Sequence, residues 1–183
     1  PAFKKIELNG NILTCGAGLR NVELQKFLVK NGIGGLEFLS TIPGTIGGSV
    51  RTNAGCYGKE VKDVLKAARV VNRKGELSEV SADELHLTYR NSSFPEDWII
   101  TALDFEIQEE EPEKVLETLN HQKMQREASQ PHNVKTAGST FKNPEGQKAW
   151  ALIKQAGCAK LAVGGAKVSE RHANFLVNAD GAC

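Results

Sequence analysis

One arginine, one serine and one glycine-rich run are the residues of this sequence whose types and spacing could support chemistry. Arg90 sits between an aromatic residue and two hydroxyls in Tyr89-Arg90-Asn91-Ser92-Ser93-Phe94. A guanidinium is the natural fork for a carboxylate, because it offers two parallel charge-assisted hydrogen bonds. On an ordinary surface the same group is simply solvated, and both readings stay open at this point. Ser139 follows a glycine in Gly138-Ser139-Thr140-Phe141-Lys142-Asn143-Pro144, with a lysine three residues on. A serine needs a neighbouring base before it can attack, and G-x-S-x-G is absent, so hydrolase chemistry has weak support. That leaves a proton-donating serine or a turn serine.

The third group is the stretch from Thr41 to Gly58, which carries five glycines and almost no charge. Glycine permits unusual φ and ψ and lets main-chain N–H groups approach an anionic or planar ligand, so a ligand loop and a tight structural turn both fit. No G-x-G-x-x-G and no Walker A sequence is present, which disfavours a Rossmann or P-loop site. A last candidate, Gly164 to Phe175, mixes a glycine turn with Lys167, Ser169, Glu170, Arg171 and His172 ahead of an apolar strand. It suits a polar ligand, and equally a capped helix or turn.

The elements that must position these groups follow from periodicity. Lys4 to Leu8 and Ile12 to Cys15 read as strands joined by a turn at Asn9-Gly10-Asn11, and Val22 to Val29 as a helix stopped by Gly32, Gly34 and Gly35. The Thr41–Gly58 segment reads as neither ordinary helix nor linker. A helical patch is expected around Val61 to Leu65. A hairpin is expected from Ala68 to Val80, then a capping box at Ser81-Ala82-Asp83-Glu84. From Trp98 to Ile107 period two puts Ile99, Leu103, Phe105 and Ile107 on one face of a strand that closes a first lobe. Glu109-Glu110-Glu111-Pro112 is a solvated break, and Glu113 to Ala128 an amphipathic helix carrying Val115, Leu116, Leu119 and Met124. A domain boundary is therefore expected at 109/110. The remainder holds a Gly138-Ser139 loop, a helix with Ala149, Leu152, Ile153 and Ala156, and a strand from Asn174 to Asn178.

Composition narrows the function classes. With 183 residues, 40% hydrophobic and a formal net charge of +1, the chain can bury one good core or two small ones and lacks the basic excess of a nucleic-acid binder. No apolar run approaches the roughly 20 residues needed to cross a bilayer, and no secretory signal is visible at the start, which together imply a cytoplasmic protein without membrane insertion. Cys15, Cys56, Cys158 and Cys183 form no C-x-x-C pair, and the four histidines are scattered, so free thiols and no metal site are expected.

Taken in order, Gly35-Leu36-Glu37-Phe38, Ile42-Pro43-Gly44-Thr45-Ile46-Gly47-Gly48, Asn53-Ala54-Gly55-Cys56-Tyr57-Gly58, Tyr89-Arg90-Asn91-Ser92, the Gly138–Pro144 run and Gly164-Gly165-Ala166 resemble the bacterial UDP-N-acetylenolpyruvoylglucosamine reductase family. The short spacing between Tyr89 and Ser139 is similar to its compact subtype. The resemblance implies an α+β chain, with an FAD-binding lobe of the vanillyl-alcohol-oxidase type at 1–109 followed by a small α/β substrate-binding domain at 110–183. It also implies a flavoenzyme of peptidoglycan precursor synthesis. In it NADPH reduces FAD, and the flavin N5 passes hydride to UDP-N-acetylglucosamine enolpyruvate, giving UDP-N-acetylmuramate. No obligate protein partner is implied.

Carried over by motif, Pro43, Gly44, Thr45, Ile46, Gly47, Gly48, Asn53, Ala54, Gly55 and Tyr57 would line the flavin. Arg90 would hold the substrate carboxylate, Ser139 would deliver the proton, and Tyr89, Lys142, Asn143, Lys160 and His172 would contact the UDP-sugar. Hydride addition leaves a carbanion delocalised into the carboxylate, so a cation there and a nearby hydroxyl divide the work sensibly. The family's phosphate-gripping first loop and its late catalytic glutamate have no counterpart here, so the chain is expected to be truncated at both ends, to bind FAD weakly and to turn over slowly or not at all. Two other readings are another flavin oxidase of the same fold and a non-catalytic sugar-nucleotide-binding module.

Overall fold

Antiparallel hairpins build the first half of the chain, and the strand that joins them comes last. The structure, a computed structural model, describes residues 3–179. Strands β1 (Ile6–Asn9) and β2 (Ile12–Gly16) pair with Asn9 opposite Ile12, so the turn is Gly10-Asn11, with Gly10 at a φ of 59°. Helix α1 (Asn21–Asn31) buries Leu24 and Leu28 and ends at Gly32, whose φ is 60°. A Cβ on Gly32 would lie 2.5 Å from the Glu110 carbonyl oxygen, so the position is closed to side chains as well as strained for them. Strand β3 (Ile33–Gly34) precedes α2 (Ile46–Arg51), and the two-residue strands β4 (Gly55–Cys56) and β5 (Lys59–Glu60) follow. Helix α2 corrects the expectation that the glycine-rich stretch holds no helix. The patch expected at Val61 to Leu65 is a single 3-10 turn, Val61–Asp63, and Leu65 already opens β6 (Leu65–Val71).

β6 pairs with β7 (Leu77–Ser81) across the expected hairpin, and the Glu84 carboxylate accepts hydrogen bonds from both the main chain and the hydroxyl of Ser81, the predicted capping box. Strand β8 (Ile99–Glu106) inserts between β2 and β6, giving the antiparallel order β1-β2-β8-β6-β7. It is the middle strand of the sheet. Leu103, Phe105 and Ile107 are buried as predicted, but Ile99 is 61% exposed. Arg69 faces Ala102 while Val70 faces Ile100, so Thr101 is an extra residue, and this bulge breaks the alternation before it reaches Ile99. β9 (Gln108–Glu109), within the stretch read around a solvated break, pairs with β3.

Helix α3 (Pro112–Ser129) packs Val115 and Leu119 into the same core as Leu13, Leu24, Phe38, Leu103 and Phe105, whereas Leu116 and Met124 are exposed. Val115 and Leu119 stand one turn apart on a face that the half-buried Gln122 continues, and Leu116 and Met124 fall off that face. The chain forms two compact units, Pro1–Lys123 and Met124–Cys183, which divide inside α3, beyond the boundary expected at 109/110, because Val115 and Leu119 belong to the first core.

The second unit contains β10 (Lys135–Ser139), α4 (Ala149–Gln155), β11 (Ala162–Val163), β12 (Ala166–Val168) and β13 (Phe175–Asn178). Its sheet runs β10-β13-β12-β11. Ser139 thus ends a strand instead of lying in a loop, and Gly164-Gly165 turns a hairpin whose strands are too short to show alternation in sequence. Cys15 is buried, which pushes its thiol up to about 12, and Cys56 and Cys158 are half-buried and free. Cys183 lies outside the described residues.

Candidate active-site elements in the two units

In the first unit, the glycine-rich stretch is organised around α2. Thr45 caps the helix, its Oγ1 accepting from the Gly48 N–H at 3.3 Å. The N–H groups of Ile46 and Gly47 donate to the Leu19 and Ala17 carbonyls at 2.8 and 2.9 Å, and that of Ser49 to Thr45 O. The first-turn donors are therefore satisfied within the chain. A Cβ on Gly47 would stand 2.8 Å from the Ala17 Cβ, so glycine here lets α2 sit against the end of β2. The result is a cavity of about 400 Å³ lined by Ala17, Gly18, Thr45, Gly47, Gly48, Arg51 and Trp98 among others. The Arg51 guanidinium donates to Pro95 O at 3.0 Å and lies over the Phe94 ring.

Of the flavin candidates, Thr45, Gly47 and Gly48 line this cavity, Pro43 and Gly44 are exposed, and the side chains of Ile46 and Ala54 are in the core. Asn53 is fully buried at a φ of 42°. Its Nδ2 donates to Glu60 Oε2 and to Thr88 O, both at 3.0 Å, while its Oδ1 accepts from the Lys62 N–H at 2.9 Å. All of its side-chain polar atoms are thus engaged inside the protein, so it acts as a joint and not as a surface contact. Tyr57 and Gly58, at φ values of 56° and 79°, form the two-residue turn between β4 and β5, a geometry that matches strand twist. The Tyr57 hydroxyl donates to Gln122 O at 2.7 Å, and the ring lines a separate cavity of about 260 Å³ with Glu37, Glu110 and Gln122.

Arg90 occupies a tight turn in which Thr88 and Asn91 exchange both main-chain hydrogen bonds at 3.1 Å. Its φ is 55°, uncommon for a residue with a side chain, and the turn is over-determined. Arg90 Nη2 donates to Gly55 O at 3.1 Å, Asn53 holds Thr88 O, and the Ser92 hydroxyl donates to Arg51 O at 2.7 Å. The structure thereby brings Arg90, Asn53 and Gly55 together. Tyr89 is exposed, with the Arg90 guanidinium 5.6 Å from its ring centroid.

In the second unit, Ser139 is exposed and Gly138, at a φ of 89°, precedes it. Thr136 pairs with Val177 but Ser139 with Phe175, so β10 carries one extra residue, a bulge that re-aims the side chains after it. Lys142 and Lys160 are exposed, and Lys142 lines an apolar cavity of about 700 Å³ together with Phe141, Leu152, Ile153, Leu161 and Leu176. The Asn143 Oδ1 accepts from the Ala149 N–H at 2.9 Å and so closes the first turn of α4. His172 Nδ1 accepts from the Asn174 N–H at 3.2 Å, and the ring meets Phe175 edge-on at 4.9 Å.

Desolvation holds the His172 imidazole below its ordinary range, against the raising effect of its own main-chain hydrogen bond and with a smaller lowering from the charge of Lys154. The unfolded chain therefore binds the proton more readily. The stability contributed by neutral His172 is fully present above about pH 6.5 and declines as the pH falls through that value toward the depressed folded-state pKa. Melting temperatures at pH 7.5 and 5.5 are expected to differ less in His172→Gln than in the unchanged protein.

Arg51, Gly18 and Trp98 in the first unit and Asn174 and Lys154 in the second were not singled out by sequence reasoning. Arg51 is the only charged residue within the glycine-rich stretch from Thr41 to Gly58, which is the one signal that could have found it. Among the described residues no three His, Cys, Asp or Glu side chains gather as a metal site would require, and no helix is long and apolar enough to cross a membrane.

The comparisons with known proteins agree with this organisation. Residues 2–81 match the model of an FAD binding domain, and residues 130–183 that of the UDP-N-acetylenolpyruvoylglucosamine reductase C-terminal domain. UDP-N-acetylenolpyruvoylglucosamine reductase of Novosphingobium aromaticivorans is 47% identical over 178 residues, 97% of this chain and 60% of that protein. The protein of the same name from Rhizorhabdus wittichii is 48% identical over 177 residues, 96% of this chain and 58% of its own length. The crystal structure of UDP-N-acetylenolpyruvylglucosamine reductase (MurB) from Thermus caldophilus superposes with a TM-score of 0.88 at 36% identity, covering 98% of this chain and 65% of that one. The chain thus spans about 60% of the length of the curated relatives it matches. An FAD-binding α+β first part and the family's C-terminal domain, in that order, place this chain in the UDP-N-acetylenolpyruvoylglucosamine reductase family.

Proposed function

We propose that this chain is the flavin- and substrate-binding portion of a reductase that converts UDP-N-acetylglucosamine enolpyruvate to UDP-N-acetylmuramate at the expense of NADPH, in the cytoplasm. The first unit serves the cofactor and, through Arg90 and Tyr89, the substrate carboxylate and sugar, and the second unit serves the substrate. The observation that carries the reading is Arg90. It is locked at positive φ and anchored through Nη2 to Gly55 O, in a turn knitted to the glycine-rich stretch, as a group that must present a charge at a fixed place is expected to be.

The residues of the first unit fit part of a dinucleotide. A cavity of about 400 Å³ is in the range that holds small-molecule ligands, Gly48 adds no side chain to it, and Arg51 and Trp98 offer a cation and an aromatic face. When bound there, FAD supplies the two-electron carrier between NADPH and the alkene. Thr45, Gly47, Gly48 and Arg51 would hold it, with Pro43 and Gly44 beside them. Ile46, Asn53, Ala54, Gly55 and Tyr57 shape the segment.

Arg90 binds the substrate carboxylate and stabilises the negative charge that spreads into it once hydride has added to the far alkene carbon. The Ser139 hydroxyl gives its proton to the carbon next to that carboxylate, which saturates the bond. Tyr89, Lys142, Asn143, Lys160 and His172 serve the UDP-sugar. Eight Lys and Arg against four Asp and Glu in residues 124–183, compared with fifteen against eighteen in 1–123, suit the second unit to a diphosphate.

Titration of the isotopically labelled chain with UDP-N-acetylglucosamine is the direct test. Shifts are expected at the amides of residues 139–143, Lys160 and His172, and a titration that leaves these unmoved overturns the substrate assignment. FAD added to the same chain is expected to show a perturbed visible band that Arg51→Glu abolishes.

A further inference from the structure

We propose that Asn174 is the positioning residue of the segment that runs from Ser139, at the end of β10, to Lys142, its carboxamide continuing the pairing where the strand stops. The catalytic meaning of this inference rests on the function proposed above; the clamp itself does not.

β10 and β13 pair regularly at Lys135 opposite Asn178 and Thr136 opposite Val177, then slip by one residue before Ser139 meets Phe175. Beyond Ser139 the chain leaves the sheet, and three hydrogen bonds from one residue hold it. The Thr140 N–H donates to Asn174 O at 2.8 Å. The Phe141 N–H donates to Asn174 Oδ1 at 2.9 Å, and Asn174 Nδ2 donates to Phe141 O at 2.8 Å. The side chain therefore presents a donor and an acceptor in one plane to a single residue, as the backbone of a neighbouring antiparallel strand does.

Asn174 is 4% exposed, a burial that polar side chains reach only when their hydrogen bonds are made. Its own N–H is held by His172 Nδ1, and the Ser169 N–H donates to Phe175 O at 2.8 Å, so the clamp is itself braced. The residues it holds have little other support, because Thr140, Phe141 and Lys142 are all exposed. An aspartate would keep the acceptor and lose the donor, and an alanine would lose both. The requirement is for a carboxamide of this length, which sets Asn174 apart from an ordinary buried polar residue.

The test measures amide hydrogen exchange and UDP-N-acetylglucosamine affinity in the labelled chain and in Asn174→Ala and Asn174→Asp. In Asn174→Ala the Phe141 amide is expected to exchange about tenfold faster or more, while the Val168 amide, bonded to Leu161 O, keeps its rate, and affinity falls about tenfold. In Asn174→Asp the Phe141 amide stays protected and affinity falls less. An unchanged Phe141 rate in Asn174→Ala, or loss of its protection in Asn174→Asp, overturns the clamp. Faster exchange at Val168 as well, or faster Phe141 exchange with unchanged affinity, reduces Asn174 to a structural residue and overturns the positioning role. If the unchanged chain does not bind UDP-N-acetylglucosamine, the functional reading has failed, and Phe141 exchange alone decides the clamp.

Discussion

Changing Ser139 to alanine is expected to slow substrate-dependent reoxidation of the reduced flavin by about 100- to 10,000-fold, the usual contribution of a positioned proton donor. Bleaching of the flavin by NADPH should be unaffected. The measurement belongs in a chain carried to the full length of the relatives, where both half-reactions can be followed by visible absorption. The proposed division of labour demands this asymmetry, because the proton enters only after hydride has reached the substrate. Ser139 is exposed at the end of β10 and its hydroxyl is not part of the core, so removing it should leave the melting temperature within a degree or two of the original. Equal slowing of both half-reactions would instead assign Ser139 to holding the second unit in shape.

Asn53→Ala is expected to cost about 3 kcal/mol of stability, read as a lower urea midpoint with little change in slope. The change leaves the Lys62 N–H without its acceptor, takes from Thr88 O one of its two donors, and puts an alanine at a φ of 42°, a conformation asparagine tolerates better. Asn53→Asp separates the two faces of the amide. It keeps the acceptor for Lys62 and places a carboxylate 3.0 Å from Glu60 Oε2, where like charge and burial both raise its folded-state pKa above the unfolded value of about 3.9. The folded form then holds the proton more tightly, so this variant should recover stability as the pH falls from 7 toward 4, while Asn53→Ala shows no such recovery. Because the same amide fixes the turn that bears Arg90, both variants should also weaken the grip on a substrate carboxylate.

Local signals were legible in the sequence, and placements that depend on distant partners were not. The Gly10 turn, α1 with its Gly32 stop, the β6–β7 hairpin and the Ser81–Glu84 box are each written within about ten residues, and each forms as read. Helix α2 defied its composition: Gly47 and Gly48 are poor helix formers, and the helix exists because Thr45 caps it and the carbonyls of Ala17 and Leu19 take its first donors. The exposure of Ile99 depends on a bulge that no alternation pattern announces. Residue type singled out Arg90 and Ser139 as candidates, but the burial of Asn53 and Asn174 could not be foreseen, since asparagine is ordinarily a surface residue. What marks both is a partner far along the chain, Thr88 for one and Phe141 for the other.

The late arrival of β8 governs how the first unit can assemble. Residues 12–16 and 65–71 each find their central neighbour only in residues 99–106, so during synthesis the two hairpins must wait, each with an open edge, until the ribosome has delivered the strand between them. Closing the sheet joins Ile12 to Glu106, a long loop whose entropy must be lost before the central pairing is gained. A nascent chain halted before residue 99 would expose both edges at once, and it is in that interval that the protein is most open to chaperones and to aggregation.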